Sequence, residues 1–342
     1  MPIAKRTVFI DPSYPAYYED RLFDMANLAL NRDGTLAPFY RLHSALNEQN
    51  IEVHTADYLL ENKIKGSAND YYSLGLLDNY PKLIGRQDIR LRGFLIMEPP
   101  VVAPKLYRAL PKLTHHFERV YLHNTVGDGY SLKGVDQSRL HKLYWPQPYK
   151  DILEPYWSNT NRQKRIVVIN GNHIPRSFKR ELYSKRIEAM SALAQLGVVD
   201  LYGMGWQKWW SYRSMWPPYW RHRKALMSIY QGTCASKYEV LSRYRFSLCF
   251  ENMAMQGYLT EKLFDCLYAG TVPIYLGAPD ISDLVPFNAY IDCRQFGSWE
   301  EMWDAVSKMP ESQIQAMREA GRNFLRSEKG VQYYDSLINI FD

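Results

Sequence analysis

Residues 258–262, Tyr-Leu-Thr-Glu-Lys, carry side chains that could bind an anionic ligand. At about 100° per residue, a helix here places these polar residues on one side: Tyr258, Glu261, Lys262 and Asp265. Its apolar residues fall on the other side: Leu259, Leu263, Cys266, Leu267 and Gly270. A helix N-terminus offers free N–H groups and Lys262 adds a full positive charge, so the arrangement suits a diphosphate. The alternative is a solvated amphipathic helix with a local Glu–Lys pair, and the spacing alone does not decide between them.

This polar group stands where a strand gives way to a helix. Residues 244–250 have the β-branched and aromatic composition of a buried strand, and residues 271–277 predict the next strand. Ligands of open α/β sheets bind beyond the carboxyl ends of the strands. The loop before the helix is therefore a predicted ligand site.

Length and composition restrict the class of protein. The 342 residues, 46% of them hydrophobic, suit two globular domains, and no apolar run is long enough to span a bilayer. The start lacks the apolar core of a signal peptide and the four cysteines show no metal-ligand spacing, so we expect reduced thiols in a cytoplasmic protein. The net charge of +6 indicates an anionic partner without naming it.

The strand and helix patterns divide the sequence into two halves. Residues 144–161, rich in proline and aromatic residues, separate two series of alternating strands and helices and predict a linker. We therefore predict an α/β protein of two Rossmann-like doubly wound domains facing a cleft, at residues 1–155 and 162–342. The final helix is a candidate to pack back on the first domain. Neither GxGxxG nor a P-loop occurs.

The stretch around the polar group matches a longer pattern. Residues 250–279 read Phe-Glu-Asn, five residues, Tyr-x-Thr-Glu-Lys, and then Ala-Gly-x-Val-Pro-x-x-x-Gly. This pattern closely resembles the signature of the α-1,3/4-fucosyltransferases, glycosyltransferase family 10. Met253 departs from it, since many members have serine there, and local packing is where we expect the difference.

The resemblance implies a two-Rossmann (GT-B) fold and an inverting transfer of L-fucose from GDP-fucose. It places Glu261 on the sugar, Lys262 on the phosphates, and an arginine of the second domain's first helix on the diphosphate. Arg186 has the best register for that arginine, with Arg180 and Lys185 as alternatives. The implied donor-binding residues are Arg186, Glu251, Asn252, Tyr258, Glu261 and Lys262.

An inverting transfer also needs a general base, because the acceptor hydroxyl must lose its proton as the diphosphate leaves. Glu98 directly follows an apolar strand and precedes two prolines, which is the position of a site residue in an open α/β sheet. It resembles the family's acidic residue in a Glu-Ser-Pro context. Asp11 also ends a predicted strand and is the nearest alternative, and a simple turn-capping role for Glu98 stays open.

We expect no metal and no other cofactor. A helix N-terminus, Lys262 and an arginine can offset the charge of the leaving group, and no Asp-x-Asp pair is present to hold a divalent ion. The eight histidines are scattered along the sequence.

Residues 206–224 do not follow the family pattern. They hold five of the nine tryptophans, five Lys or Arg and no acid, and two prolines argue against one continuous helix. Aromatic rings beside cations suit sugars, anionic headgroups or single-stranded nucleic acid. We predict an exposed patch at Trp209, Trp210 and Trp216 that contacts the acceptor or the inner face of a membrane; a packed insertion is the alternative.

The sequence therefore predicts a fucosyltransferase with a GDP-sugar donor and a glycan acceptor of the N-acetyllactosamine type. A different GDP-deoxysugar donor, or a glycan- or membrane-binding module without activity, are the alternatives. A nucleic acid partner is not expected, because it leaves residues 258–262 unexplained.

Overall fold

The computed structural model describes residues 6–61, 63, 68–208 and 215–341. The chain forms two compact units. The first comprises the chain up to Pro148 and the segment from Gln332 onward, and the second runs from Tyr149 to Val331. The boundary at Pro148 falls inside the predicted linker of residues 144–161.

Strands and helices alternate through both units. The strands are Arg6–Asp11 (β1), Glu52–Thr55 (β2), Ala68–Ser73 (β3), Ile89–Leu95 (β4), Arg119–Leu122 (β5), Leu140–Lys142 (β6), Gln163–Ile169 (β7), Val199–Tyr202 (β8), Tyr230–Gly232 (β9), Tyr244–Phe250 (β10), Val272–Leu276 (β11) and Ile291–Asp292 (β12). The helices are Ala37–Glu48 (α1), Asp57–Leu60 (α2), Pro104–Arg108 (α3), Leu110–His116 (α4), Glu154–Trp157 (α5), Tyr183–Gln195 (α6), Pro217–Ile229 (α7), Lys237–Leu241 (α8), Glu261–Ala269 (α9), Ile281–Leu284 (α10), Trp299–Ser307 (α11), Glu311–Arg326 (α12), Glu328–Tyr334 (α13) and Ser336–Phe341 (α14).

The first unit is a parallel sheet with a core on each face. In the described part of the chain its strand order is β2-β1-β3-β4-β5-β6. Side chains alternate across a strand, so Val8 packs with α1 and α14 on one face while its neighbour Phe9 packs with α3 and α4 on the other. From α14, Leu337 and Phe341 contribute buried side chains to the core around Val8.

The second unit repeats the plan with a different strand order. Among the described residues its parallel sheet runs β12-β11-β10-β7-β8-β9. The chain lays β8 and β9 on one side of β7, and then continues with β10 on the other side. Strand order therefore reverses between β7 and β10, and the loops that leave these two strands diverge to form a crevice.

Candidate functional site

A cavity of about 190 Å³ lies at the carboxyl ends of β7 and β10, at the point where the strand order reverses. Doubly wound folds bind their ligands at this position. The lining residues are Ile169, Asn170, Gly171, Lys237, Leu241, Ser247, Leu248, Cys249, Glu261, Lys262, Asp265 and Cys266. The wall thus carries two ammonium groups and two carboxylates.

A buried carboxylate fixes the beginning of α9. Glu251 is fully buried and accepts hydrogen bonds from the backbone N–H and the Oγ1 hydroxyl of Thr260, both at 2.8 Å, and from Lys262 Nζ at 3.3 Å. Burial raises the pKa of Glu251, and the positive charge of Lys262 opposes that rise. Glu251 therefore positions Lys262 from behind the cavity wall. A direct contact between Glu251 and a ligand stays a prediction.

Two glycines of the signature are explained by this geometry. Gly270 ends α9 in the left-handed conformation, with φ of 72°, which glycine adopts at little cost. A Cβ atom at Gly277 would lie 2.5 Å from Cγ of Glu251 and 2.4 Å from the hydroxyl of Tyr275. Glycine at position 277 therefore leaves room for the carboxylate that holds Lys262.

Glu261 and Lys262 occupy the first turn of α9 on the cavity wall. Their Oε1 and Nζ atoms are 3.4 Å apart. Burial tends to raise the pKa of Glu261, but the charges of Lys262 and Lys237 outweigh it and the pKa is lowered. Glu261 is therefore a charged acceptor suited to hydroxyl groups, and Lys262 is a donor suited to phosphate oxygens.

The helical spacing correctly brings Glu261, Lys262 and Asp265 to one wall, but it misplaces two residues. Tyr258 precedes the first turn of α9, which begins at Glu261. Cys266, expected on the apolar side, also lines the cavity. The reason is that residues four apart differ by only about 40° around a helix, so Cys266 follows Lys262 on the same face.

Lys237 is a cavity residue that the sequence analysis missed. Its Nζ lies 2.7 Å from Oδ2 of Asp265, and this ion pair ties the start of α8 to the second turn of α9. Burial raises the pKa of Asp265 to about 6 against the charge of Lys237. Nothing in the sequence around Lys237 marks it. The sequence does mark Asn170, because it directly follows an apolar strand, as Glu98 does.

Other predicted donor residues lie beside the cavity but do not line it. Arg186, on the first full turn of α6, is buried, and its Nη2 donates to the carbonyls of Phe250 at 2.5 Å and Glu251 at 3.1 Å. Tyr258 is also buried, and its hydroxyl accepts a long hydrogen bond of 3.5 Å from Asn252 Nδ2. These residues hold the end of β10 and the loop after it. Their contact with a diphosphate or a sugar stays a prediction.

The structure also shows the positions of Lys185, one alternative to Arg186, and of Met253, which departs from the family pattern. Lys185 is exposed and pairs with Glu188 at 3.0 Å. Met253 is buried and forms an isolated antiparallel bridge with Glu181, just before α6. Position 253 therefore lies where the loop after β10 pairs with the segment that leads into α6.

The second unit is similar in sequence to known fucosyltransferases. Residues 161–318 match the family model for the C-terminal part of glycosyltransferase family 10 (fucosyltransferase). An α-(1,4)-fucosyltransferase of Arabidopsis thaliana is 42% identical over 74 residues, which are 22% of this chain and 18% of the relative. An α-(1,3)-fucosyltransferase of Helicobacter pylori is 37% identical over 71 residues, which are 21% of this chain and 15% of the relative. The matched segments span less than a fifth of either relative.

The likeness in structure extends over nearly the whole chain. A crystal structure of an α1,3-fucosyltransferase with GDP superposes with a TM-score of 0.53 at 13% identity, covering 99% of this chain and 90% of that one. At this identity the likeness speaks for the fold alone. The prediction of two Rossmann-like α/β domains of the GT-B type is confirmed.

The predicted base lies in the first unit, outside the residues that match the family model. Glu98 follows β4 and is half-buried, and its carbonyl accepts a hydrogen bond of 3.1 Å from the hydroxyl of Tyr107. His123, after β5, contacts the carbonyl of neighbouring Met97 through Nε2 at 2.6 Å, and burial lowers its pKa to about 3. A neutral imidazole thus supports the backbone next to Glu98.

The carboxylate of Asp11, the alternative base, is occupied by hydrogen bonds within the first unit. It is fully buried at the end of β1 and accepts hydrogen bonds from the hydroxyls of Tyr18 and Tyr71 and from Nδ2 of Asn79. Burial raises its pKa, and these three donors work against the rise. A carboxylate with this many internal partners is poorly placed to accept a proton from a substrate.

The prediction of an exposed tryptophan patch is wrong for Trp216. Trp216 immediately precedes α7, which begins at Pro217, and only 5% of it is exposed. Trp206 is buried too, and its Nε1 donates to the carbonyl of the cavity residue Asn170 at 2.7 Å. Trp220 on α7 is 41% exposed. The predicted patch residues Trp209 and Trp210 lie outside the described residues.

The described residues contain neither a cluster of metal-ligating side chains nor a membrane-spanning helix. In residues 6–61, 63, 68–208 and 215–341, no three His, Cys, Asp or Glu side chains come together as a metal site. Over the same ranges, no helix has both the length and the apolar character to cross a bilayer.

Proposed function

We propose that this chain is an inverting fucosyltransferase that transfers L-fucose from GDP-fucose to a hydroxyl group of a glycan acceptor. The observation that carries the proposal is the cavity at the reversal of strand order, where Lys262 and Lys237 offer positive charge and Glu261 offers a hydroxyl acceptor. The family 10 match of the same residues supports fucose as the sugar.

In this proposal, different cavity residues bind different parts of the donor. Lys262 binds the diphosphate, Glu261 accepts hydrogen bonds from sugar hydroxyls, and Lys237 adds positive charge near the leaving group. In the transfer, the acceptor oxygen attacks the anomeric carbon while the bond from that carbon to the phosphate oxygen breaks. Glu98 takes the hydroxyl proton, and GDP leaves with the bonding electrons. Charge developing on GDP is stabilised by groups already in place.

The acceptor we propose is the GlcNAc of an N-acetyllactosamine-type unit, fucosylated at O3 or O4, such as occurs in bacterial surface polysaccharide. The test is release of GDP from GDP-fucose with and without a panel of such acceptors. Acceptor-dependent release is the expected result. Release from another GDP-deoxysugar only would identify a different donor, and GDP-fucose binding with no release under any acceptor would favour a binding module.

We expect this activity to persist in excess EDTA. Lys262 and Lys237 are two ammonium donors that can take the place at the phosphates that a divalent ion has in other enzymes acting on sugar nucleotides. The measurement is initial rate before and after chelation, with added Mn²⁺ as the control. Complete loss in EDTA that Mn²⁺ restores would contradict the proposal of metal-independent transfer.

We also propose that the enzyme works in the cytoplasm and contacts an anionic membrane surface through α7. Trp220, Arg221 and Lys224 share the exposed side of this helix, and residues 201–238 contain no acid. Each cation near an anionic surface contributes about 1 kcal/mol, and tryptophan favours the interface.

The α7 surface can be tested by vesicle sedimentation. Replacing Arg221 and Lys224 by serine should weaken binding to phosphatidylserine vesicles on the order of tenfold or more, since two such contacts are lost. The control replaces the exposed Lys112 and Lys133 of the first unit, which changes the net charge equally. Equal losses in both variants would mean that net charge, and not α7, directs the binding.

A further inference from the structure

Two thiols meet at the wall of the donor cavity. Sγ of Cys249, on β10, lies 3.2 Å from Sγ of Cys266, on α9. Both sulfur atoms also contact the carbonyl of Lys262, at 3.4 Å and 3.3 Å, so each can donate its S–H to the same oxygen. The function proposed above uses neither thiol.

Small molecules can reach these thiols through the cavity. Cys249 and Cys266 are nearly inaccessible from the outer surface, yet both line the cavity of about 190 Å³ with Glu261 and Lys262. A peroxide is little larger than water and fits such a space. Cys234 and Cys293 are not among the lining residues.

The pair also comes close to the geometry of a disulfide. An S–S bond is about 2.05 Å long, so the two sulfur atoms need to approach by about 1.2 Å. Cys249 is held in the centre of the sheet by β7 and β11, whereas Cys266 belongs to a helix packed against it. The approach therefore falls mainly on α9, which also carries Glu261 and Lys262.

We propose that Cys249 and Cys266 form an oxidative modification site, in which a hydroperoxide entering the cavity converts the two thiols into a disulfide that disables donor binding. One thiolate attacks the peroxide O–O bond to give a sulfenic acid and an alcohol or water. The second thiolate attacks that sulfur and expels hydroxide, which leaves as water. In total, two thiols and ROOH give one disulfide, ROH and water, with the sulfur atoms oxidised and the peroxide reduced.

Two consequences follow for the site. The disulfide removes both S–H donors from the carbonyl of Lys262 and draws α9 toward β10, which displaces Glu261 and Lys262 from their positions on the wall. Burial raises the pKa of Cys266, so oxidation should be slow near neutral pH and should accelerate as the pH rises. The loss of donor binding rests on the proposed function, but formation of the disulfide does not.

The experiment uses the full chain with Cys234, which is partly exposed, replaced by serine. Three of the four cysteines then remain. After hydrogen peroxide treatment, thiol titration in denaturant should fall from three to one, and a reductant should restore it. Cleavage on both sides of Cys266 should recover a peptide containing Cys249 joined to a peptide containing Cys266. GDP affinity should fall at least tenfold on oxidation and recover on reduction.

Single substitutions test whether the disulfide joins Cys249 to Cys266 and not to Cys293. Cys249→Ser and Cys266→Ser should each abolish the disulfide, whereas Cys293→Ser should leave it intact; a melting temperature for each variant checks its fold. A thiol count that stays at three, or a bridge that includes Cys293, would overturn the proposal. If the reduced chain does not bind GDP at all, the proposed donor binding is wrong. The thiol count still tests whether the disulfide forms.

Discussion

Replacing Glu98 by glutamine should reduce fucose transfer at least about a hundredfold while GDP binding is retained. Glutamine keeps the shape of glutamate but cannot take a proton from the acceptor hydroxyl, so the loss should appear in kcat. The backbone at Glu98 is held by Tyr107, and the neighbouring Met97 carbonyl is held by His123, so we expect the variant to keep its fold. The measurement is steady-state GDP release, with GDP affinity from calorimetry.

Two further variants make the result specific to Glu98. Glu48→Gln, on the exposed side of α1, is the matched control and should leave turnover unchanged. Asp11→Asn tests the alternative base, and we expect it to lower the melting temperature because Asp11 organises Tyr18, Tyr71 and Asn79. A folded Glu98→Gln variant with near-normal kcat would remove Glu98 from the chemistry.

Replacing Lys262 by alanine should weaken GDP binding by about 1.5–3 kcal/mol, the range for a charge-assisted hydrogen bond. That corresponds to a loss of about tenfold to a hundredfold in affinity. The variant also leaves Glu251 buried without its nearest cation, so part of any effect could come from the fold. Calorimetric titration with GDP and a thermal melt should therefore be measured together.

A double variant separates the two roles of Lys262. Changing Glu251 to glutamine and Lys262 to methionine removes both charges, and it should recover much of the stability lost in Lys262→Ala without recovering GDP affinity. Lys164→Ala, an exposed cation at the amino end of β7, is the control for net charge. If the double variant binds GDP normally, Lys262 acts only through the packing of α9.

The sequence was most informative where local patterns are strong. Residues 244–250 and 271–277 predicted two strands of the second sheet, and the structure has β10 and β11 there. Helical spacing also brought Glu261 and Lys262 to one wall. These features depend on neighbours within a few residues, which a single sequence displays directly.

Contacts between distant segments could not be predicted in this way. Lys237 reaches Asp265 only because α8 packs beside α9, and no spacing in the sequence encodes that approach. Composition predicted an exposed tryptophan patch, yet Trp206 and Trp216 are buried. Composition does not show which indole group has a hydrogen-bond acceptor inside the protein, as Trp206 has in the carbonyl of Asn170. The contact between Cys249 and Cys266 likewise needed the packing of α9 on the sheet.

The return of the chain to the first unit has a consequence for biosynthesis. In topological terms, Tyr149 to Val331 is an insertion within the first unit, whose core around Val8 includes Leu337, Ile340 and Phe341 of α14. A ribosome makes these residues after the inserted unit, so that unit can finish folding while one face of the earlier sheet still exposes apolar side chains. A stop codon shortly after position 331 should therefore yield a folded second unit attached to an aggregation-prone first unit.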